Sequence, residues 1–209
     1  MLIPFSELFA RYNIKTDGIL HLGANTGQEA EAYYRQGDPQ VIWVEALEPL
    51  YLHLVRTIAP YPRQRALLAC IGEEDGKEVT FHVANNGGQS SSLLEFGTHT
   101  SAHPSVRYVS HVKLTTSRVD TLLARHSIAV GPDWFLNIDL QGAELIALRS
   151  MGSLLAGFRY AYIEVNEKPL YQGCPLVDEI DTYLARYGFI GREVKMTNWG
   201  WGDKFYLRR

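Results

Sequence analysis

Short apolar segments alternate with amphipathic segments along this 209-residue chain, and no other sequence feature constrains the fold as strongly. Strands are predicted at residues 18–23, 41–44, 65–71, 134–138 and 160–163. Helices are predicted at residues 26–36, 49–57, 142–151 and 177–187. In the last of these, Ile180, Leu184 and Tyr187 share one helical face. Apolar strands that alternate with helices predict a parallel sheet covered on both faces.

Two segments depart from this alternation. Residues 72–119 contain two strands with alternating apolar residues and, between them, the polar loop 85–92. They have too few apolar residues for a core of their own, so we expect an insertion or lid and not a second domain. Residues 189–207 are typical of an antiparallel hairpin closed by the loop 198–203. We therefore predict a single α/β domain over residues 1–209, with a doubly wound, mostly parallel sheet, helices on both faces and an antiparallel C-terminal hairpin.

Charge and composition exclude several classes of protein. The chain is 46% hydrophobic and has a formal net charge of −3, with 20 Lys and Arg against 23 Asp and Glu. This balance argues against a disordered chain and against a dedicated nucleic-acid-binding protein, which needs a basic face. The 2 cysteines cannot form a disulfide framework. We find no signal peptide and no membrane-spanning or membrane-surface segment, so we expect a cytoplasmic protein without a membrane partner.

A glycine-containing turn follows the first predicted strand, at the sheet edge where doubly wound folds bind ligands. Gly23 and Gly27 permit a tight turn and the close approach of a ligand, although an ordinary tight turn also explains them. A dinucleotide fingerprint needs glycines at relative positions one, three and six, and Asn25 and Gln28 occupy the last two here. The turn therefore favours a nucleoside without a phosphate contact.

An acidic residue ends the second predicted strand. Glu45 lies 22 residues after Gly23, the spacing at which a carboxylate reaches a ribose in such folds. Its two oxygens match two vicinal hydroxyl groups. Glu48 is the competing choice, but it is predicted in the first turn of the next helix. For Glu45 alone, a solvated charge at the end of a strand is an equal alternative.

Residues 21–29 resemble motif I of class I S-adenosylmethionine-dependent methyltransferases, and further segments narrow this resemblance. The order and spacing of these segments resemble those of FkbM-type methyltransferases over about residues 17–190; the segments are 85–93, 119–122, 137–144, 163–165, 170–173 and 188–189. The resemblance implies a Rossmann-like fold and O-methylation of a hydroxyl group on a sugar, glycan or secondary metabolite. It implies S-adenosylmethionine as the cofactor.

Seven residues are predicted to bind this cofactor. They are His21, Gly23, Asn25, Gly27, Glu45, Ser91 and Asp139. His21 stands where motif I commonly has an acidic residue. The sequence therefore leaves open how this position contacts the methionine part of the cofactor. Ser91 belongs to the polar loop, which is either a surface loop or, as the family resemblance favours, a lid over the cofactor.

Asp139 ends the fourth predicted strand and Glu164 the fifth, so we expect both carboxyl groups at one crevice. Asp139 is either a helix cap or a site carboxylate. With Asn166, the pair offers oxygen ligands for a possible divalent metal ion. We favour metal-free general-base catalysis by Asp139 or a histidine, and predict Asp139, Glu164 and His103 as the catalytic residues. An exposed loop histidine is the plainer explanation of His103.

The sequence therefore predicts an S-adenosylmethionine-dependent O-methyltransferase acting on a small-molecule or glycan acceptor, with no nucleic-acid partner. One alternative is a nucleoside- or partner-binding module without catalysis. Another is a nucleotide-dependent oxidoreductase, against which the missing glycines argue. Tyr171, Trp199 and Trp201 could flank an acceptor ring, although such aromatic residues more often pack in a core or at an edge.

Overall fold

The computed structural model describes residues 2–209 as an alternation of strands and helices. The strands are β1 (Gly18–Leu22), β2 (Gln40–Glu45), β3 (Gln64–Leu68), β4 (Cys70–Ile71), β5 (Glu78–Ala84), β6 (Tyr108–Ser117), β7 (Trp134–Ile138), β8 (Phe158–Asn166), β9 (Phe189–Met196) and β10 (Trp201–Arg208). The α-helices are α1 (Phe5–Arg11), α2 (Ala30–Tyr34), α3 (Glu48–Ile58), α4 (His99–Ala102), α5 (Val119–Arg125), α6 (Glu144–Met151) and α7 (Val177–Ala185). A 3-10 helix covers Gly152–Gly157.

The main sheet has 7 strands in the order β3-β2-β1-β7-β8-β10-β9. Strands β3, β2, β1, β7 and β8 are parallel, and β10 is antiparallel to both β8 and β9. The order reverses between β1 and β7, which is where doubly wound folds bind ligands. The predicted fold class, including the C-terminal hairpin, is confirmed.

Each face of the main sheet has its own apolar core, because successive side chains of a strand point to opposite faces. On one face, Leu20 of β1 packs in a core with Leu148 of α6 and Ile180 of α7. On the other face, Ile19 of β1 shares a core with Leu54 of α3. Helices therefore cover both faces, as the alternation in the sequence predicts.

The predicted strand at residues 65–71 is wrong in one respect, because it is two strands. β3 pairs with β2, whereas β4 pairs with β6, with Cys70 opposite Thr116. The break falls at Ala69, whose backbone N–H donates to the carbonyl of Glu45. Strands β4, β6 and β5 form a second sheet, which contains most of the predicted insertion. The single domain over residues 1–209 stays a prediction.

Other boundaries also differ from those predicted. The helix predicted at residues 26–36 is shorter, because the turn after β1 continues until α2 begins at Ala30. The sequence does not predict helices α1, α4 and α5. The hairpin turn is tighter than the loop predicted at 198–203, because Thr197 N–H donates to the Trp201 carbonyl and β10 begins there. In the part of the chain described, no helix is long and apolar enough to cross a bilayer.

Candidate active site

A cavity of about 580 Å³ opens at the carboxyl ends of β1, β2, β7 and β8. A cavity of this size can enclose a small molecule or a cofactor. The polar lining from the main sheet and its turns includes His21, Asn25, Glu45, Asp139, Glu164 and Asp203. The lining from the insertion includes Ser90, Ser91, His99 and His103. The cavity therefore lies at the predicted edge of the sheet, between the sheet and the insertion.

The turn after β1 brings backbone groups to the cavity. Gly23 has a φ of +86° and Asn25 a φ of +46°, so both occupy the left-handed region. A Cβ atom at Gly23 would lie 1.8 Å from the carbonyl oxygen of Asp139, so only glycine fits where β1 and β7 converge. Gly23 and Asn25 both line the cavity, the place where predicted cofactor-binding residues should lie.

Gly27 is not among the described residues that line the cavity, so the structure does not place it with the other predicted cofactor-binding residues. Its φ is +77°, and a Cβ atom there would lie 2.7 Å from Cδ1 of Leu54 in α3. Its backbone N–H donates to the carbonyl of Ala24 at 2.9 Å. Gly27 therefore closes the turn and allows α3 to pack closely against it.

Glu45 connects the turn after β1 to the turn before α3. Its Oε2 accepts the backbone N–H of Asn25 and its Oε1 accepts that of Leu47, each at 2.8 Å. Each carboxylate oxygen can accept a second hydrogen bond, so a ribose diol can still bind. Burial raises the pKa of Glu45 to about 7. The competing Glu48 is exposed and is not among the described lining residues.

His21 is a neutral, buried side chain at the base of the cavity. Asn137 Nδ2 donates to the hydroxyl oxygen of Tyr33 at 2.8 Å, and that hydroxyl donates to Nδ1 of His21 at 3.0 Å. Burial lowers the pKa of His21 to about 3. With Nδ1 accepting, Nε2 carries the proton. His21 is therefore a hydrogen-bond donor, where an acidic residue would accept.

Asp139 and Glu164 meet at the side chain of Gln141. Gln141 Nε2 donates to Oδ1 of Asp139 at 2.6 Å and to Oε2 of Glu164 at 2.5 Å. Gln141 Oε1 accepts the hydroxyl of Tyr171 at 2.6 Å. The backbone of Gln141 is left-handed, with a φ of +53°, a conformation that non-glycine residues adopt mainly at functional sites and turns.

The sequence interpretation brought the two carboxyl groups together but missed Gln141, which orients them. Its position between Asp139 and Gly142 was the available signal. The capping alternative for Asp139 is wrong, because Ala143 is the N-cap of α6. The buried Glu144 stabilises the turn before α6, since its Oε1 accepts the backbone N–H groups of Leu140 and Gly142.

The surroundings of Glu164 favour its protonated form. Burial raises its pKa well above the ordinary value, and the charge of Asp139 and a hydrogen bond with it raise the pKa further. Two carboxyl groups in such contact resist simultaneous ionisation. The site therefore favours the neutral form of Glu164.

Two further acidic residues line the cavity, and the sequence interpretation missed both. Glu29 lies in the turn before α2, where an acid is ordinary at the start of a helix. Asp203 of β10 lies opposite Glu164 of β8 in the ladder and accepts the hydroxyl of Tyr162 at 2.6 Å. Burial raises the pKa of Glu29 and of Asp203. No Lys or Arg of residues 2–209 lines the cavity, so its lining complements a cation.

The loop 85–92 is hydrogen-bonded to the backbone of Gln141, the residue that contacts the carboxyl pair. Ser92 Oγ donates to the backbone carbonyl of Gln141 at 2.8 Å, and Ser90 Oγ lies 3.1 Å from Nε2 of His99. Burial and the neighbouring His103 lower the pKa of His99 to about 4. Ser91 lines the cavity, so the structure places it where the prediction requires.

His103 also lines the cavity and is half-buried. Its ring centroid lies 5.0 Å from that of His99 and 6.1 Å from that of Trp199. The imidazole is therefore available at the cavity, as a predicted catalytic residue must be. His103 comes from the insertion, opposite the carboxyl pair of the main sheet.

Two of the three possible metal ligands, Asp139 and Glu164, line the cavity. Asn166 is not among the described residues that line the cavity, and the N–H group of Gln141 lies between Asp139 and Glu164. Residues 2–209 contain no group of three or more His, Cys, Asp or Glu side chains placed to hold a metal ion. A divalent ion held by Asp139, Glu164 and Asn166 stays a prediction.

Comparisons with known proteins agree with this geometry. A family model described as a methyltransferase FkbM domain matches residues 21–190. The chain is also similar to the 2-O-methyltransferase NoeI of Sinorhizobium fredii, with 24% identity over 163 residues. That match covers 74% of this chain and 65% of NoeI, so the chain spans less than two thirds of the length of this relative.

Solved structures with a similar fold include several methyltransferases. Fibrillarin of Aeropyrum pernix, with natively bound S-adenosylmethionine, has a TM-score of 0.53 and 14% identity, and the match covers 93% of this chain and 67% of fibrillarin. Magnesium protoporphyrin IX methyltransferase of Synechocystis PCC 6803 has a TM-score of 0.53 and 13% identity, covering 98% of this chain and 76% of that one. At these identities the similarity establishes the class I methyltransferase fold.

Proposed function

This chain belongs to the FkbM methyltransferase family, and from that premise we propose that it transfers a methyl group from S-adenosylmethionine to a hydroxyl group of a sugar, glycan or other small metabolite. The observation that carries the proposal is the acid-lined cavity beside the turn after β1. S-adenosylmethionine bears a sulfonium and an ammonium group, which carboxyl groups attract and which Lys or Arg would repel. The residues present therefore fit this cofactor.

Residues of β1, β2 and the lid would hold the cofactor. Glu45 would accept the two ribose hydroxyls, and the backbone at Gly23 and Asn25 would receive the methionine part. His21, being neutral with Nε2 protonated, would donate to the carboxylate of the methionine part. Ser91 would contribute its hydroxyl from the other side of the cavity. When bound, S-adenosylmethionine supplies an electrophilic methyl group.

Asp139 is the group we assign to receive the proton of the acceptor hydroxyl. It is half-buried in the lining, and Gln141 fixes one of its oxygens by a 2.6 Å hydrogen bond. Glu164, whose pKa is raised well above its ordinary value, would hold the proton of the pair. General-base catalysis of this kind contributes about 10²–10⁴-fold to a rate. His103 is the second candidate base, on the insertion side.

Positioning of the acceptor hydroxyl against the methyl group of the cofactor would supply the rest of the rate enhancement. The lid loop and the main sheet enclose the cavity from two sides, and Ser92 ties the loop to Gln141. Aligned reactants held away from water react with effective molarities of about 10⁵–10⁸ M. The carboxyl pair held by Gln141 and the lid loop bonded to the same residue are suited to aligning the reactants and excluding water.

The test is a calorimetric titration of the purified protein with S-adenosylmethionine and S-adenosylhomocysteine, with NAD as a comparison. We expect saturable binding of both sulfur nucleosides and weaker binding by Glu45→Ala. Glu48→Ala is the matched control, because this exposed acid lies three residues away and should leave affinity unchanged. Preference for NAD, or no binding of either sulfur nucleoside, would overturn the proposal and favour an oxidoreductase or a non-catalytic module.

A further inference from the structure

Two histidines outside the cavity face each other across the strands of the insertion. His82 of β5 and His111 of β6 are directly opposite each other in the antiparallel ladder. Their Nδ1 atoms are 2.9 Å apart, and their rings are perpendicular, with centroids 4.9 Å apart. Neither histidine is among the described residues that line the cavity, so methyl transfer gives this pair no function.

The surroundings of His82 direct its Nδ1 lone pair at His111. A hydrogen bond between two ring nitrogens needs a proton on one of them and a free lone pair on the other. Oε1 of Glu95 lies 3.6 Å from Nε2 of His82, so this carboxylate favours the ring proton of His82 on Nε2. Nδ1 of His82 is then the acceptor of the hydrogen bond, and Nδ1 of His111 is its donor.

His82 is held in this orientation, whereas the ring of His111 can exchange its proton. His82 is buried, and its ring stacks on that of Tyr108 with centroids 4.8 Å apart. His111 is exposed, so its ring proton can exchange with water and move to Nε2. Both Nδ1 lone pairs are then free in the space between the two rings. A neutral imidazole with a free lone pair is the commonest metal ligand in proteins.

The separation of the two nitrogens fits one coordination geometry better than another. With metal–nitrogen bonds of about 2.0–2.1 Å, neighbouring ligands of a square-planar or tetragonal ion are about 2.8–3.0 Å apart, and those of a tetrahedral ion about 3.3–3.4 Å. The 2.9 Å between Nδ1 of His82 and Nδ1 of His111 matches the first of these separations. Nitrogen ligands in a tetragonal arrangement are typical of Cu²⁺ and Ni²⁺, whereas Zn²⁺ prefers a tetrahedron.

From this geometry we propose that His82 and His111 form a two-histidine chelate for a divalent transition-metal ion, which binds Cu²⁺ more tightly than Ni²⁺ and Ni²⁺ more tightly than Zn²⁺. Water fills the remaining coordination positions of the ion. Glu95 orients His82 through Nε2, the ring nitrogen that does not bind the ion. This metal site lies in the insertion, and it does not depend on the proposed methyl transfer.

An ion at this position would stabilise the base of the lid loop. The backbone N–H of His82 donates to the carbonyl of Ser92 at 2.8 Å, and the N–H of Ser92 donates to the carbonyl of His82 at 3.1 Å. Ser92 ends the loop 85–92, and its hydroxyl donates to the backbone carbonyl of Gln141. An ion that links β5 to β6 at His82 therefore holds the end of the loop without entering the reacting centre.

The first experiment measures the binding of metal salts to the untagged, chelator-treated protein by calorimetry. We expect Cu²⁺ to bind in the micromolar range, Ni²⁺ at least about tenfold more weakly, Zn²⁺ more weakly than Ni²⁺, and Mg²⁺ not at all. The electron paramagnetic resonance spectrum of the Cu²⁺ complex should show coupling to two nitrogen nuclei. Absence of Cu²⁺ binding, or tighter binding of Zn²⁺ than of Cu²⁺, would overturn the proposal.

The second experiment changes the ligands. His111→Ala should weaken Cu²⁺ binding at least about tenfold and leave coupling to one nitrogen nucleus, and it should fold normally because His111 is exposed. His53→Ala is the matched control, since His53 is also exposed but lies in α3, and it should leave Cu²⁺ affinity unchanged. Glu95→Gln should weaken binding about tenfold while both nitrogens stay coupled, because only the orienting charge is removed. Equal Cu²⁺ affinity of His111→Ala and the wild-type protein would overturn the proposal, whatever the S-adenosylhomocysteine titration shows.

Discussion

The hydroxyl of Tyr171 donates to Oε1 of Gln141 at 2.6 Å, and this hydrogen bond decides which end of the Gln141 amide faces the acidic pair. With Oε1 occupied, Nε2 is directed at Asp139 and Glu164. Tyr171 is fully buried, and burial raises the pKa of its phenol, so the hydroxyl remains a donor. The orientation of the proposed catalytic carboxylate therefore depends on a residue from the loop after β8.

Removing that donor tests this relationship. Tyr171→Phe keeps the ring but leaves Oε1 of Gln141 without its partner, so the amide can reorient. We expect kcat to fall about tenfold, with little change in the affinity for S-adenosylmethionine. Tyr183→Phe is the control, because its hydroxyl bonds the carbonyl of Leu148 away from the cavity. Steady-state kinetics on both variants provide the measurement, and equal effects would argue against a positioning role.

The two acids of the pair should respond differently to amide substitution. Asp139→Asn removes the proposed base, so methyl transfer should fall about 10²–10⁴-fold while cofactor binding survives. Glu164→Gln replaces a group whose neutral form the site favours, so the loss should be much smaller. Single-turnover rates of the Asp139→Asn and Glu164→Gln variants separate the functions of the two acids. The His103→Gln variant tests the second candidate base in the same assay. A larger loss in Glu164→Gln than in Asp139→Asn would reverse the assignment.

Cofactor affinity should rise with pH between about 6 and 8. Burial raises the pKa of Glu45 from the ordinary 4.5 to about 7, so below pH 7 the free protein holds a proton there. The ribose hydroxyls bind best to the ionised carboxylate, so binding releases that proton. Calorimetry in two buffers of different ionisation enthalpy measures the release. In Glu45→Gln the release should be absent and the affinity lower at every pH.

Folding stability should fall as pH rises from about 4.5 to about 7. Burial raises the pKa of both Glu45 and Glu144 to about 7, and Glu164 shifts in the same direction. At these acids the folded state binds more protons than the unfolded state in this interval, so they make the free energy of unfolding decrease with rising pH. His21 and His99, whose pKa values are lowered, offset part of this decrease below about pH 6.5. Thermal unfolding at several pH values gives the slope, and Glu144→Gln should reduce it. A slope of opposite sign would contradict these assignments.

Gly23 and Gly76 provide a matched pair for the turn after β1. Their φ angles are +86° and +78°, but a Cβ at Gly23 would lie 1.8 Å from the carbonyl oxygen of Asp139, whereas at Gly76 it meets nothing within 4 Å. Gly76→Ala should cost about 1 kcal/mol, since only backbone strain is added. Gly23→Ala should cost several times more or prevent folding. Denaturant unfolding of both variants makes the comparison.

The sequence by itself determined the order of elements and the edge of the sheet that holds the site. Apolar strands alternating with helices leave few arrangements, because a parallel sheet must be covered on both faces. The carboxyl ends of parallel strands share one edge, so Gly23, Glu45, Asp139 and Glu164 could be placed together before any coordinates. The same reasoning could not show that Gly27 packs against Leu54 of α3, because periodicity does not say on which side of a turn a glycine packs.

Only the tertiary structure decided which residues from distant segments complete the cavity. Asp203 lies opposite Glu164 because of the register of the C-terminal hairpin, and a shift by one residue would turn it to the other face. The contact between Tyr171 and Gln141 likewise depends on how a loop folds back over the sheet. Local sequence patterns record propensity and burial within one element. Register and loop packing are set by contacts between elements, so they emerge only when the whole chain is folded.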